Sequence, residues 1–142
     1  MNVCITYYSK FGNGVKCVEY VGESLKKKGN QVELLSVKAV KPDSLPSADL
    51  YIFSSPTRFG RPSGKMKKFL KELKIGNAEA KYALMGTFWE GQSKTIDILS
   101  QIMDEKGMTR ACEGVLVKVG KIKGPLADDY QKTLDSFVEK LS

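Results

Sequence analysis

The chain has 142 residues, of which 42% are hydrophobic and 27% are charged, a composition typical of a folded globular protein. Lys and Arg outnumber Asp and Glu by 23 to 16, which gives a formal net charge of +7, and there is no His. The missing His excludes a Ser-His-Asp triad, a Cys-His dyad and any zinc site that needs an imidazole. The length predicts a single domain over residues 1–142.

Five short apolar segments predict β-strands. In chain order they cover residues 3–7, 31–37, 50–54, 82–86 and 114–119. The first, third and fourth are almost continuously apolar, as is typical of central parallel strands that are covered on both faces. The second and fifth contain polar residues and are predicted to lie nearer the edges.

Four helices are predicted between and after these strands, because apolar residues recur there at helical spacing. They cover residues 13–28, 64–74, 93–106 and about 127–141. Ser93 is the predicted N-cap of the third helix. Residues 38–48 contain two prolines and are predicted to form a weak helical turn or none.

The alternation of strands and helices predicts an α/β fold, a doubly wound parallel sheet with helices on both faces. Ligands of such sheets bind beyond the carboxyl ends of the strands. The loops over residues 8–14, 55–62 and 87–92 are therefore the predicted site.

The first loop joins a strand to a helix and contains Ser9, Gly12, Asn13 and Gly14. Glycines let the backbone approach a ligand closely, and the N–H groups at a helix start favour an anion such as phosphate. The spacing matches neither the Walker nor the dinucleotide-binding fingerprint. It is equally compatible with a plain turn in which Asn13 is the helix N-cap.

The other two loops carry aromatic residues. Phe59 lies between Arg58 and Arg61, and Trp89 is the only Trp of the chain. Two aromatic loops beside a phosphate loop would form a slot for a phosphorylated planar molecule. The alternatives are that Phe59 fills a gap between loop and helix and that Trp89 packs in the core.

These loops resemble those of the flavodoxin-like FMN proteins, and they look most similar to the NAD(P)H:quinone oxidoreductases of the WrbA type. The segment Ser55-Pro56-Thr57-Arg58-Phe59-Gly60 is very similar to a segment of those reductases. The first loop resembles the flavodoxin pattern S/T-x-T-G-N-T, with Phe11 in place of the middle Thr and Gly14 in place of the last. The resemblance implies a five-stranded sheet of strand order 2-1-3-4-5.

The resemblance also implies that the cofactor is FMN. The phosphate would be held by Ser9, Lys10, Phe11, Gly12, Asn13 and Gly14. One side of the isoalloxazine would be lined by Pro56, Thr57, Arg58, Phe59 and Gly60, and the other by Thr87, Phe88, Trp89, Glu90 and Gly91. A flavin performs the redox chemistry itself, so neither a catalytic residue nor a metal is expected.

Three functions are compatible with these features. The first is an FMN protein that acts in electron transfer. The second is an FMN-dependent NAD(P)H:quinone oxidoreductase, although those enzymes are longer and offer a His near the flavin. The third is a binding module that kept the flavodoxin fold but lost the flavin.

The surplus of positive charge is local. Residues 58–74 contain seven Lys and Arg against the single acidic residue Glu72. This segment is predicted to attract an acidic redox protein, NAD(P)H or another small acceptor, unless it is only a solvated helix face. Nucleic acid is not a predicted partner, because no aromatic residues alternate with the basic ones on the polar side.

The cysteines Cys4, Cys17 and Cys112 all lie in apolar segments and are predicted to be buried structural thiols. Their odd number and wide spacing favour the reducing cytoplasm. No secretory signal segment is recognisable, and no apolar run has the length that membrane insertion requires.

Overall fold

The computed structural model describes residues 1–121 and 123–141. Within these residues the strands are β1 (Asn2–Tyr7), β2 (Gln31–Ser36), β3 (Leu50–Arg58), β4 (Arg61–Pro62), β5 (Lys81–Phe88), β6 (Thr109–Arg110) and β7 (Val115–Lys118). The helices are α1 (Asn13–Lys27), α2 (Gly64–Lys71), α3 (Thr95–Glu105) and α4 (Tyr130–Leu141). The predicted alternation of strands and helices is confirmed.

The sheet is parallel over the strands β2, β1, β3 and β5, in that order. Beyond β5, the fifth position is shared by β6 and β7, which both pair with β5 in parallel. The predicted α/β fold and strand order are therefore confirmed, with the fifth strand in two pieces. Between the pieces, Gly114 packs so closely on α3 that a Cβ there would lie 2.7 Å from Cγ2 of Ile96.

The helices cover both faces of the sheet, as predicted. α1 and α4 pack on one face, where Val18, Val21 and Phe137 meet Ile52 of β3. α2 and α3 pack on the other face against residues that include Phe53, the next residue of β3. The strand presents successive side chains to opposite faces, which explains why its apolar run is continuous.

Several element ends differ from the prediction. α2 ends at Lys71 instead of residue 74, and Lys106 donates hydrogen bonds of 2.9 Å to the carbonyls of Lys71 and Leu73 there. The N-cap of α3 is Lys94 instead of Ser93, although Ser93 Oγ accepts a hydrogen bond from the Thr95 N–H at 3.2 Å. Residues 38–48 form turns but no helix.

The largest departure from the predicted elements is a hairpin at the end of β3. This strand continues four residues beyond the predicted end at residue 54 and turns back into β4. Ser55 fixes the return, because its Oγ accepts the Ser63 N–H at 3.0 Å and donates to the Pro56 carbonyl at 2.9 Å. The hairpin carries the second predicted loop away from the core.

The cysteine prediction is confirmed for two of the three thiols. Cys4 and Cys17 are buried, whereas Cys112 is only half-buried. Burial raises the pKa of the Cys17 thiol to about 12 and also raises the pKa of Cys4 and of Cys112. All three thiols are therefore protonated near neutral pH and poor nucleophiles.

Candidate functional site

Residues of the three predicted loops meet in one cavity at the carboxyl edge of the sheet. The parallel strands β1, β3 and β5 end there side by side, which brings their following loops together. The residues that line this cavity are Ser9, Lys10, Phe11, Asn13, Gly14, Pro56, Thr57, Arg58, Thr87, Phe88, Trp89 and Val119. Among them only Val119 was not anticipated from the sequence.

The first loop leads directly into α1. Gly12 is the N-cap, with a φ of 90° that favours glycine, so the expectation that Asn13 could be the N-cap is wrong. The Gly12 N–H donates to Ser9 Oγ at 3.1 Å, which closes the loop and leaves the hydroxyl hydrogen of Ser9 for another acceptor. Gly14 is buried under the loop, where a Cβ would lie 3.4 Å from Ser9 Oγ.

The start of α1 is built to receive an anion. Among the residues that the structure describes, no side chain caps it, and its first turn contains no acidic residue. The N–H groups of a first helical turn have no acceptor within the helix, and the helix dipole adds partial positive charge. A phosphate at this place would meet N–H donors, the Ser9 hydroxyl and the ammonium group of Lys10.

The second loop presents Phe59 to solvent. Phe59 and Gly60 form the two-residue turn between β3 and β4, with φ values of 52° and 75°. Both positions of such a turn favour Gly or Asn, so a bulky residue in the first is strained. The Phe59 side chain is 103% exposed, so the alternative that it fills a gap is wrong.

The third loop holds Trp89 in place. Trp89 is 42% exposed, which excludes core packing, and its Nε1 donates to the Gly120 carbonyl at 3.0 Å. The neighbouring Glu90 and Gly91 are exposed as well. The ring is thus oriented by a main-chain partner that is 31 residues further along the chain.

The second and third loops touch each other. The Lys94 N–H donates to the Gly60 carbonyl at 2.6 Å, and a Cβ on Gly60 would lie 3.0 Å from the Gln92 carbonyl oxygen. Between them lies an open cleft of about 650 Å³, lined by Thr57, Arg58, Phe59, Gly60, Trp89, Glu90, Gly91 and Gln92. This volume suits a cofactor-sized organic ligand.

A hydroxyl cluster beneath the cleft was not anticipated from the sequence. Thr57 Oγ1 lies 2.7 Å from Thr95 Oγ1 and 3.3 Å from Ser93 Oγ. Thr95 is fully buried, so this contact ties the hairpin to the start of α3. No local signal marks the cluster, because it joins residues 38 positions apart.

The cations of the site lie beside the first loop. The guanidinium carbon of Arg58 lies 4.9 Å from the centre of the Phe11 ring, so this side chain reaches towards the first loop instead of flanking Phe59. The ammonium groups of Lys10 and Lys123 lie 5.5 and 5.6 Å from the same ring. Among the residues that the structure describes, no group of three His, Cys, Asp or Glu side chains could hold a metal ion.

The residues therefore fit a ligand with a phosphate at one end and a planar ring at the other. Comparison with known protein families identifies the family of this chain. The family model described as Flavodoxin matches residues 5–137. The chain belongs to the flavodoxin family. The predicted class, a flavodoxin-like flavoprotein of redox electron transfer, is thereby confirmed.

Individual relatives agree with this family. An NAD(P)H dehydrogenase (quinone) of Geobacter sulfurreducens is 30% identical over 141 residues, covering 76% of this chain and 70% of the relative. A flavodoxin of Clostridium saccharobutylicum is 32% identical over 82 residues, covering 57% of this chain and 51% of the relative. The crystal structure of oxidised Flavodoxin 2 from Bacillus cereus shares the fold at a TM-score of 0.84 and 20% identity, covering 99% of this chain and 97% of that one.

No helix among residues 1–121 and 123–141 combines the length and the apolar character needed to cross a membrane.

Proposed function

We propose that the chain binds FMN at the carboxyl edge of the sheet and carries electrons between redox partners. One observation carries this proposal. The start of α1, which no described side chain caps, and the loop that Ser9 closes line the same cavity as Trp89. The exposed Phe59 lines the adjoining cleft together with Trp89. In a phosphorylated planar cofactor, the phosphate matches the helix start and the planar ring matches the aromatic cleft.

The phosphate end is proposed to bind through main-chain N–H groups and the Ser9 hydroxyl. Lys10 and Lys123 add positive charge next to these donors. The phosphate group carries roughly two negative charges at neutral pH, so the donors and cations compensate it without a metal.

The ring end is proposed to lie between Phe59 and Trp89. Both rings are exposed in the free protein, and covering them with a planar ring removes apolar surface from water. When bound, FMN supplies one-electron and two-electron chemistry. The chain's own residues then orient the ring and exclude water from its faces.

The strain at Phe59 supports this assignment. A bulky residue with positive φ costs roughly 1–2 kcal/mol, and its exposed side chain gains no packing in return. Strain without a structural benefit is typical of a residue that contacts a ligand.

A flavin titration tests the proposal. Purified protein should show a flavin absorption band, or acquire one with added FMN, and the fluorescence of Trp89 should be quenched as FMN binds. Riboflavin lacks the phosphate and should bind at least about tenfold more weakly, and Ser9→Ala should weaken the binding of FMN but not of riboflavin. Unchanged Trp89 emission and an unshifted melting temperature with FMN would indicate the third function, a flavodoxin fold without flavin.

The second candidate function is FMN-dependent NAD(P)H:quinone oxidoreduction. The Geobacter relative, named as a quinone-dependent NAD(P)H dehydrogenase, supports it. Steady-state oxidation of NADPH with a benzoquinone distinguishes the two candidates, because a carrier with tightly bound FMN shows no turnover.

The surplus positive charge supports the proposed partners, which are an acidic redox protein, NAD(P)H or another small acceptor. The cytoplasm is the proposed location, because three free thiols suit a reducing compartment. Residues 1–142 are proposed to act as one domain.

A further inference from the structure

Two cations lie over the ring of Tyr8, which follows β1. The ammonium groups of Lys38 and Lys65 lie 5.5 and 5.4 Å from its centre. Lys38 comes from the segment after β2 and Lys65 from the first turn of α2, so separate parts of the chain bring both charges to one half-buried ring. Both distances are within the range of cation–π attraction.

Three more cations lie over the neighbouring ring of Phe11. They are Lys10, Arg58 and Lys123, at 4.9 to 5.6 Å from the ring centre. Phe11 is 37% exposed, so this ring and the charges above it face solvent. We call Tyr8, Phe11 and the five cations over their rings the cation–aromatic face.

No ion pair within the described residues neutralises this face. Within the described residues, none of the five cations has a carboxylate oxygen within 4.0 Å. Like charges gathered around these rings repel one another, and the rings offset only part of that repulsion. A bound FMN phosphate would supply roughly two negative charges, which leaves about three positive charges uncompensated.

The positive surface continues along α2. Lys65, Lys68 and Lys71 are exposed on this helix, which contains no acidic residue. Eight residues of helix span about 12 Å, so the charged surface is longer than a single phosphate group requires. The exposed Phe59 borders the same region, since the adjoining Arg58 belongs to the face.

Exposed aromatic residues and Arg are enriched at protein interfaces. A group of unpaired lysines beside them provides the charge complementarity that steers an acidic partner to a surface. A small acceptor would cover only part of such a surface. We propose that the cation–aromatic face is the docking surface for an acidic redox protein, whose carboxylates pair with Lys38 and Lys65 while its redox centre approaches the flavin. This proposal rests on the proposed function, because it deepens the assignment of the partner for the same site.

The test uses two forms of one acceptor with opposite charge, native cytochrome c, which is basic, and succinylated cytochrome c, which is acidic. Holoprotein reduced with dithionite is mixed with each acceptor at low and at high ionic strength. We expect the succinylated form to be reduced at least about tenfold faster at low salt, with most of that advantage lost at high salt.

The charge-reversed variant Lys38→Glu/Lys65→Glu should lose the preference for the acidic acceptor at least about tenfold. The control Lys132→Glu/Lys140→Glu makes the same change in net charge on α4, on the other face of the sheet, and should retain the preference. Equal losses in both variants would show that only the net charge matters and would overturn the proposal. Loss of the preference when NADPH is added at micromolar concentration would overturn it in favour of a nucleotide.

The absorption spectrum is recorded first, so that failure of the proposed function is recognised separately. If the protein binds no FMN, binding of fluorescently labelled succinylated cytochrome c to the colourless protein is measured by anisotropy. Binding that Lys38→Glu/Lys65→Glu abolishes and the control retains supports the docking surface. Absence of binding overturns it.

Discussion

The two aromatic loops that flank the cleft present their rings in different ways. Phe59 is held out by the shape of its backbone, with a φ of 52°, and its side chain is fully exposed. Trp89 is held by a hydrogen bond from its own ring to the Gly120 carbonyl. The first arrangement stores strain in the free protein, whereas the second orients the ring before any ligand arrives.

Because of this difference, the two loops contribute differently to the stability of the free protein, although both are expected to contribute to ligand binding. The strained hairpin lowers the stability of the free protein. Its favourable contribution is expected only when a ligand contacts Phe59. The Trp89 loop contributes one hydrogen bond to the free protein and offers a ring of fixed orientation. A substitution that relieves the strain at Phe59 should therefore raise the stability, and one that removes the Trp89 hydrogen bond should lower it, whereas both should weaken ligand binding.

The largest expected effect comes from the common base of the two loops. Gly86 of β5 pairs with Ser55 of β3, and a Cβ on Gly86 would clash with the Ser55 carbonyl oxygen. Gly86→Ala should lower the free energy of unfolding by about 3 kcal/mol and displace both loops, as measured by urea denaturation and FMN titration. Gly64→Ala, at an open position at the start of α2, should be neutral or about 0.5 kcal/mol stabilising. Equal effects of the two substitutions would contradict the close contact between Gly86 and Ser55 that the pairing of β3 with β5 creates.

The next largest effect is expected at Trp89. Trp89→Ala should weaken FMN binding by about 1–3 kcal/mol, because a stacked ring is lost. Trp89→Phe keeps a ring but removes the hydrogen bond to Gly120, so it should cost only about 1 kcal/mol. Equilibrium titration of the apoprotein with FMN measures both losses. Equal affinities of the Ala and Phe variants would show that the ring itself does not contact the cofactor.

At Phe59 the sign of the stability change is the informative result. Phe59→Asn should raise the free energy of unfolding of the apoprotein by about 1 kcal/mol, because Asn tolerates positive φ, while FMN binding becomes weaker. Phe59→Ala removes the ring without relieving the strain, so it should weaken FMN binding without that gain in stability. Urea denaturation of both apoproteins provides the comparison, and a destabilised Asn variant would be incompatible with a strained turn.

The last effect, no larger than that at Phe59, is expected where the hairpin is tied to α3. Thr57→Val removes the hydroxyl that contacts the buried Thr95 and should lower the free energy of unfolding by about 1 kcal/mol. Thr133→Val, which removes a surface hydrogen bond on α4, should change it by only a few tenths of a kcal/mol, on the order of a surface substitution. Denaturation curves of the two variants test this difference. A similar loss in both would show that the hydroxyl cluster does not hold the hairpin.

Much of the site was predictable because it follows from local features. The glycines and hydroxyls of the first loop lie within six residues of one another, between a strand and a helix whose apolar patterns are clear. Parallel strands place their following loops at one edge, so strand order alone brings Ser9 near Thr57 and Trp89. Their roles in holding FMN stay predictions for the titrations to test.

Other features of the site could not be read from the sequence. The end of β3 at Arg58 depends on its pairing with β4 and on Ser55, which bonds a main-chain group eight residues away. Helical spacing alone also placed the end of α2 too late; there Lys106 of a distant segment donates hydrogen bonds to the carbonyl of Lys71 and, beyond the helix, to that of Leu73. Both outcomes depend on partners that are not neighbours in the sequence.

The sequence by itself determined the order of strands and helices, the apolar core of the central strands and the local surplus of positive charge, because each is a property of neighbouring residues. Only the tertiary structure decided where that charge acts. Lys38, Lys65 and Lys123 are far apart in the chain, yet the fold brings them to the rings of Tyr8 and Phe11 beside the candidate phosphate site. The physical reason is that electrostatic and packing energies depend on distances in space, which strand pairing and crossover connections set.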